Sequence, residues 1–536
     1  VKTYLMAAVA AAALLGSSAQ AKPADLGMVN RINDQAFNHG EVVDTAEYLT
    51  DRIGGRLTNS PAMREAERWT QAQFKNWGLS NVHTEGFDFG RGWWIESSSV
   101  TMIAPRPIQL RAIPVAWTPG TNGPVSAEVI VAPIKREADF DQWRGKLAGK
   151  IVLVSWPAPP KDAKDPAFVR LTDADVKKRD EYRQPKFDAD ELDKSVERRA
   201  FAGKLDAFLK AEGAVAWGRM SARDNGLVHG TGYNYKVGDT PSLPGVEIAA
   251  EDYRRLARLA KTGPVKLQID SQVRFDDRDT KAYNVFAEIP GSDPKAGYVM
   301  AGAHLDSWVA SDGAADNAAG SAVVMEAARI LQTLGVKPKR TIRFALWNGE
   351  EQGLLGSAAY VDSHLAKRPP HPDAAKQAIG PSVSQSQFPV TPLPGYKDLA
   401  AYFNLDNGSG KIRGVYAEGN VAAAKVLREW LAPYGNQGAD QVLIAPTGGT
   451  DHVYMARVGL PAFQFVQDPL DYGSQVHHTD LDSFDHLRPE DLRQAAAVMA
   501  WMLLNAAEAD EPLPRNVVPT QPKPTDPFAY PDPDEQ

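Results

Sequence analysis

The stretch Tyr298-Val299-Met300-Ala301-Gly302-Ala303-His304-Leu305-Asp306 decides the fold. A short apolar run ends abruptly on an imidazole and a carboxylate, as a buried strand does when it delivers polar residues to a sheet edge. The pattern repeats downstream. Thr341-Ile342-Arg343-Phe344-Ala345-Leu346 leads to Glu350-Glu351, and Leu399-Ala400-Ala401-Tyr402-Phe403 leads to Asp406. In open α/β sheets functional groups collect at the carboxyl ends of strands. From residue 282 onward, strand, loop and helix alternate. This predicts an α/β domain with a mixed, mostly parallel sheet sandwiched by helices.

Between the first two strands lies Ser311-Asp312-Gly313-Ala314-Ala315-Asp316-Asn317, whose small residues let backbone pass close to a metal. Asn317 is a plausible N-cap for a helix over 318–334. After the apolar run 460–466 comes His477-His478-Thr479-Asp480-Leu481-Asp482. On an extended segment adjacent side chains point to opposite faces, so one histidine of the pair is expected to face the site. Two histidines and three carboxylates suit a two-metal centre if one carboxylate is shared. Each piece alone is weak: a lone histidine is usually a satisfied core residue, and a charge pair is usually solvated surface. Their joint placement at strand ends carries the metal reading.

Composition agrees. The chain has 536 residues with 43% hydrophobic content, enough for a large core and two or three structural units. Its 59 basic and 67 acidic residues give net charge −8, which favours neither nucleic acid nor an anionic membrane as partner. There is no cysteine, so the fold has no disulfide and any metal must be held by histidine and carboxylate. Lys2, the apolar run from Leu5 to Gly16 and Ala19-Gln20-Ala21 form the layout of a secretory signal peptide over residues 1–21. The expected product is periplasmic or extracellular, with no membrane insertion after cleavage. The sequence carries no signal for an oligomeric state.

Residues 22–124 read as the first part of the main domain. Helices are expected at 45–53 and 61–77, broken by Gly54-Gly55, and strands within 98–130. The texture changes over 125–270, with strands near 149–154, 213–217 and 245–248 and a charged, helical, exposed stretch over 161–199. This reads as an inserted β-rich module. The catalytic part then spans 271–510, with a long loop at 367–395. A Pro-rich flexible tail covers 511–536.

The segments 301–307, 312–320 and 347–357, with Asn404-Leu405-Asp406 and His478-Thr479 before Asp482, together resemble the co-catalytic zinc aminopeptidase family. That family also includes bacterial leucyl aminopeptidase, glutamate carboxypeptidase II and plasma glutamate carboxypeptidase. The resemblance covers roughly 280–500, and 125–270 resembles its inserted protease-associated domain. It implies two zinc ions per chain and peptide substrates. Asp316 would bridge, His304 and Asp406 would complete one ion, and Glu351 and His478 the other. Glu350 would be the general base, taking a proton from a metal-bridging hydroxide's parent water. Asp306 and Asp482 would hold His304 and His478 in the correct tautomer. His477 competes with His478 as ligand, Thr450-Asp451-His452 matches a region near substrate, and Tyr472 is a candidate transition-state donor. An aminopeptidase is expected. Alternatives are carboxypeptidase or dipeptidase specificity, a glutaminyl-cyclase-like single-zinc enzyme, and a non-catalytic receptor-like protein.

Overall fold

The computed structural model describes residues 24–181 and 190–518. The proposed signal peptide and most of the tail lie outside them. The main domain is built on an eight-stranded sheet. In chain order its strands are β1 (Ser80–Asp88), β2 (Lys281–Ile289), β3 (Tyr298–His304), β4 (Thr341–Trp347), β5 (Leu399–Asn404), β6 (Ile412–Tyr416), β7 (Gln441–Leu443) and β8 (Ala462–Gln467). Their spatial order is β1-β2-β4-β3-β5-β8-β6-β7. The central run β4-β3-β5-β8 is parallel, while β1, β2 and β6 join antiparallel. The mixed, mostly parallel sheet is as expected.

Strand alternation divides the core in two. Val299, Ala301 and Ala303 of β3 face helices α1 (Leu26–Asn38), α2 (Pro61–Asn76), α3 (Ala319–Thr333) and α4 (Pro489–Glu508). Tyr298 and Met300 face the helix Leu355–Tyr360 and the short helix Val453–Arg457. Buried on both faces, the central strands are nearly all apolar. Gly302 is needed between them: a Cβ there would stand 2.4 Å from Tyr402 Oη and 2.5 Å from Trp347 Nε1, which bond each other at 2.7 Å across the strand.

A second eight-stranded sheet contains Val125–Val131, Ile151–Leu153, Ala216–Met220 and Gly245–Ile248. It starts earlier in the chain than the expected boundary at 125. Gly92–Ala104 pairs along its length with Lys266–Asp276, so both long strands belong to this sheet. The chain leaves the main domain after β1 and returns at β2, and those two strands are antiparallel neighbours. The module is therefore an excursion from one paired ribbon.

The charged stretch over 161–199 is helical at Asp173–Lys178 and from Glu191 on, but its first part is not free surface. Arg170 bonds Asp468 and Asp491, Leu171 is buried, and Arg413 reaches Asp173. The expected loop at 367–395 holds a two-stranded ribbon, Ala366–Lys367 with Thr391–Pro392, and short helical turns. No helix among the described residues is long and apolar enough to cross a membrane.

Candidate metal centre

The carboxyl ends of β3, β4 and β5 bring His304, Glu350-Glu351 and Asp406 together, as their strand positions require. His304 is the last residue of β3 and is fully buried. Its Nε2 lies 3.3 Å from Asp316 Oδ1 and 3.3 Å from Asp406 Oδ1. The other oxygen of Asp316 faces the opposite way. Asp316 Oδ2 is 3.2 Å from His478 Nε2 and 3.8 Å from His477 Nε2, while His478 Nε2 is 2.9 Å from Glu351 Oε2. Asp316 thus belongs to two donor groups at once.

Loop 305–316 is held by a residue that local patterning does not mark. Arg56, just after the expected helix break, is fully buried. Its Nε donates to Leu305 O at 2.8 Å, and its Nη atoms donate to the carbonyls of Leu49, Gly54, Asp312 and Gly313. The fork fixes the backbone that carries Asp316. Gly313 opens the final turn with φ +61°, and a Cβ there would lie 2.3 Å from Ser307 Cβ. Asn317 Oδ1 accepts from Gly320 N–H at 2.9 Å, so it caps the first turn of α3 as expected.

One expected role is widened and one corrected. The Asp306 carboxylate stands in ion-pair range of His304, Oδ1 lying 3.7 Å from Nδ1, and it also holds the following turn. Its oxygens accept the backbone N–H groups of Glu350 (3.2 Å) and Glu351 (3.3 Å), while His304 Nδ1 meets the Asp306 backbone carbonyl at 2.9 Å. That carbonyl fixes the tautomer, and the carboxylate fixes the Glu350-Glu351 turn. Asp482 does not bond His478; it accepts from Ala315 N–H (2.6 Å) and Asp316 N–H (3.0 Å) and so positions the Asp316 segment. Nor do the paired histidines point apart. Residues 472–476 are helical rather than extended and His478 has φ +62°, which turns both rings the same way, stacked 3.6 Å apart.

Thr450, Asp451 and His452 are buried behind the ligands. Asn404 Nδ2 donates to Thr450, Ser357 Oγ donates to Asp451 at 2.6 Å, and His452 Nε2 lies 3.2 Å from Glu418. Tyr472 stands among Asp316, Asp406, Glu351 and Glu350; burial and these charges keep its phenol protonated.

The electrostatics call for cations. Burial, with Asp406, Asp451 and Glu351 nearby, raises Glu350 well above the carboxylate range, although His304 opposes this. Burial and Asp316 push Glu351 to about 7 and Asp482 to about 8. Burial likewise pushes Asp451 to about 7. Burial disfavours charged His478, but Glu351 and Asp316 outweigh it and raise it to about 10. Asp316 Oδ2 and Glu351 Oε1 are buried without a hydrogen-bond partner. Donor separations near 3 Å match the edge of a tetrahedron about a cation roughly 2.0–2.1 Å from each ligand. The residues fit divalent metal.

This surplus has a pH signature. Asp451, Glu351 and Asp482 hold protons in the metal-free fold that the unfolded chain has lost above about pH 4. The native state then binds more protons, so stability falls as pH rises toward 8. The chelated protein should melt roughly 3–5 °C lower at pH 8.0 than at pH 5.5, and saturating zinc should abolish the difference. Scanning calorimetry checks this; a chelated protein that melts higher at pH 8.0 contradicts it.

The fold and centre define a metallopeptidase, an enzyme of the hydrolase class. Residues 284–503 match the model of peptidase family M28, a segment that contains every ligand candidate. The resemblance to the co-catalytic zinc aminopeptidase family is therefore found again by comparison. Carboxypeptidase Q of Bos taurus is 28% identical over 475 residues, 87% of this chain and 85% of its own. Leucine aminopeptidase 2 of Trichophyton equinum is 37% identical over 154 residues, 29% of each chain. Among solved structures, the peptidase M28 precursor from Shewanella amazonensis has a TM-score of 0.63 at 24% identity, covering 93% of this chain and 99% of that one. The zinc aminopeptidase BSAP from Bacillus subtilis has a TM-score of 0.54 at 20% identity, covering 87% and 94%.

Proposed function

We propose that the chain is an exported di-zinc exopeptidase. The observation that carries this reading is the divided carboxylate of Asp316, one oxygen toward His304 and Asp406, the other toward His478 and Glu351. His304 and Asp406 would hold one ion, Glu351 and His478 the second, and Asp316 both. His477, whose Nε2 is 3.8 Å from Asp316 Oδ2, stacks on His478 and shares with it and Asp316 the second donor group, where it competes as a ligand. Zinc bound there lowers the pKa of water toward neutrality and polarises a carbonyl. Asp306 aims the turn that carries Glu350. The Glu350 carboxylate accepts the proton of the attacking water and returns it to the leaving amine. Trp308, packed edge-on against His478 with ring centres 6.2 Å apart, and Tyr233 of the inserted module, 5.6 Å from Trp308, narrow the approach and favour short peptides. Export rests on the signal-peptide layout of residues 1–21.

For end specificity the first reading is aminopeptidase. The acidic lining suits a substrate ammonium, and BSAP, similar in fold, is a zinc aminopeptidase. The second reading, carboxypeptidase or dipeptidase, is favoured by relatives matched over most of the chain that are named carboxypeptidase Q. The deciding experiment counts metal in the purified protein and then compares aminoacyl-anilides and dipeptides with free and blocked ends. Two zinc ions per chain and loss of hydrolysis on chelation are expected. One ion with pyroglutamate formation would establish the single-zinc cyclase instead, and full activity after exhaustive chelation would remove the reading.

A further inference from the structure

The segment 468–482 carries Tyr472, His477 and His478, and the helix within it is the short turn Tyr472–Val476. Such a segment takes its position from what grips it. The main domain grips it at Asp471, which meets His486 Nδ1 at 2.7 Å, and at Asp482, which accepts from the N–H groups of Ala315 and Asp316. The inserted module grips it near both ends. Val169 N–H donates to Leu470 O at 2.8 Å, and Leu470 N–H returns to Val169 O at 2.9 Å. Ser474 Oγ donates to Ala167 O. The buried Asp468 carboxylate accepts from Leu171 N–H at 3.0 Å and from Arg170 Nη1 at 3.2 Å, with Arg413 of β6 also at 3.2 Å. At the far end Val228 N–H donates to Asp480 Oδ1 and Asp480 N–H donates to Val228 O, each at 3.0 Å. Arg111 closes on the same carboxylate at 2.9 Å.

The strap around Arg170 is itself anchored. Leu171 and Val176 pack with Tyr416, Leu443 and Val466, and Arg170 reaches Asp491 of α4 at 2.9 Å. The ligand candidates do not depend on this clamp equally. His304 ends β3 and Asp406 follows β5, so the central sheet places both. Glu351 stands on the turn held by Asp306, and Arg56 holds the loop that leads to Asp316. His478 instead sits on the clamped segment, with φ +62°. A non-glycine residue keeps such a backbone only where its surroundings over-determine it.

Resting on the two-ion reading, we propose that Arg170 and Arg111 of the inserted module are positioning residues for the second metal ion. They act through Asp468 and Asp480 on the segment that presents His478. The module then does more than narrow the approach: it keeps one ligand of that ion in place. Loosening the clamp frees His478 to leave Glu351 and Asp316, whereas His304 and Asp406 keep their positions on the sheet. Both arginine side chains are about half exposed, 42% and 52%, so removing them opens no cavity in the core.

The test counts zinc retained per chain of the full-length, zinc-loaded protein against rising chelator concentration. In the double variant Arg170→Ala with Arg111→Ala, one ion should leave at roughly 10-fold lower chelator than in wild type, and the other within about 2-fold of it. Added to Asp406→Ala, which should keep the His478 ion alone, the same pair of changes should shift that single ion by the same factor. Arg170→Lys with Arg111→Lys, which keeps both charges, should return the hold to near wild type. Circular dichroism confirms that the variants are folded. Both ions leaving as in wild type, or both leaving early together, overturns the proposal and leaves the two-ion reading intact. A wild-type chain that takes up fewer than two ions removes the reading on which it rests.

Discussion

Glu350→Gln should keep both metals and lose kcat by roughly 10^3–10^4-fold. The carboxylate is buried at the end of the turn after β4, and the backbone N–H of Glu350, not its side chain, bonds Asp306. The isosteric amide therefore leaves the turn in place. It also leaves untouched Glu351, the proposed ligand, whose Oε2 is 2.9 Å from His478. What the amide cannot do is accept a proton, so the loss should fall on kcat with KM little changed. Metal analysis beside steady-state kinetics decides the matter. A variant turning over at near wild-type rate refutes the base, and one that has shed an ion shows Glu350 to be a ligand.

Asp316→Ala should have the larger effect on metal. Its two oxygens face different donor groups, so on the two-ion proposal each ion would lose a ligand and the charge they share. A lost ligand is expected to weaken zinc binding by roughly 10^2–10^3-fold. After dialysis the variant should retain neither ion and show no measurable hydrolysis. Asp406→Ala, which touches the His304 side alone, should retain one ion. The contrast between the two is the measurement, made by plasma emission spectrometry on matched samples. Asp316→Ala that holds one ion as firmly as Asp406→Ala would show that the carboxylate is not shared.

Much of this grouping of side chains is legible in the sequence alone. His304, Glu350, Glu351 and Asp406 follow apolar runs, and a strand buried on both faces has no place for such groups except its end. The Gly/Ala-rich loop ahead of α3 was readable for the same local reason. Misreadings arose where geometry departs from a local rule. The alternation rule failed at His477-His478 because the backbone there is a helical turn followed by a left-handed residue. Asp482 meets backbone N–H groups rather than His478, because a carboxylate can accept from any N–H that the fold brings near. The boundary at 125 missed Gly92–Ala104, whose pairing partner lies beyond residue 265. Arg56 gave no signal, since a buried arginine is recognised by its acceptors, which here are carbonyls distributed from Leu49 to Gly313.

By itself, then, the sequence determined the α/β class and most of the side chains that the fold gathers into the candidate metal centre, because hydrophobic periodicity and strand termination are written within windows of about ten residues. Only the tertiary structure decided that Asp316 divides its oxygens between two donor groups, that both histidines share one side, and that Tyr233 of a separate module packs on Trp308 at the same mouth. Those facts depend on sheet order, crossover and loop docking between residues hundreds of positions apart, where no local pattern constrains the distance.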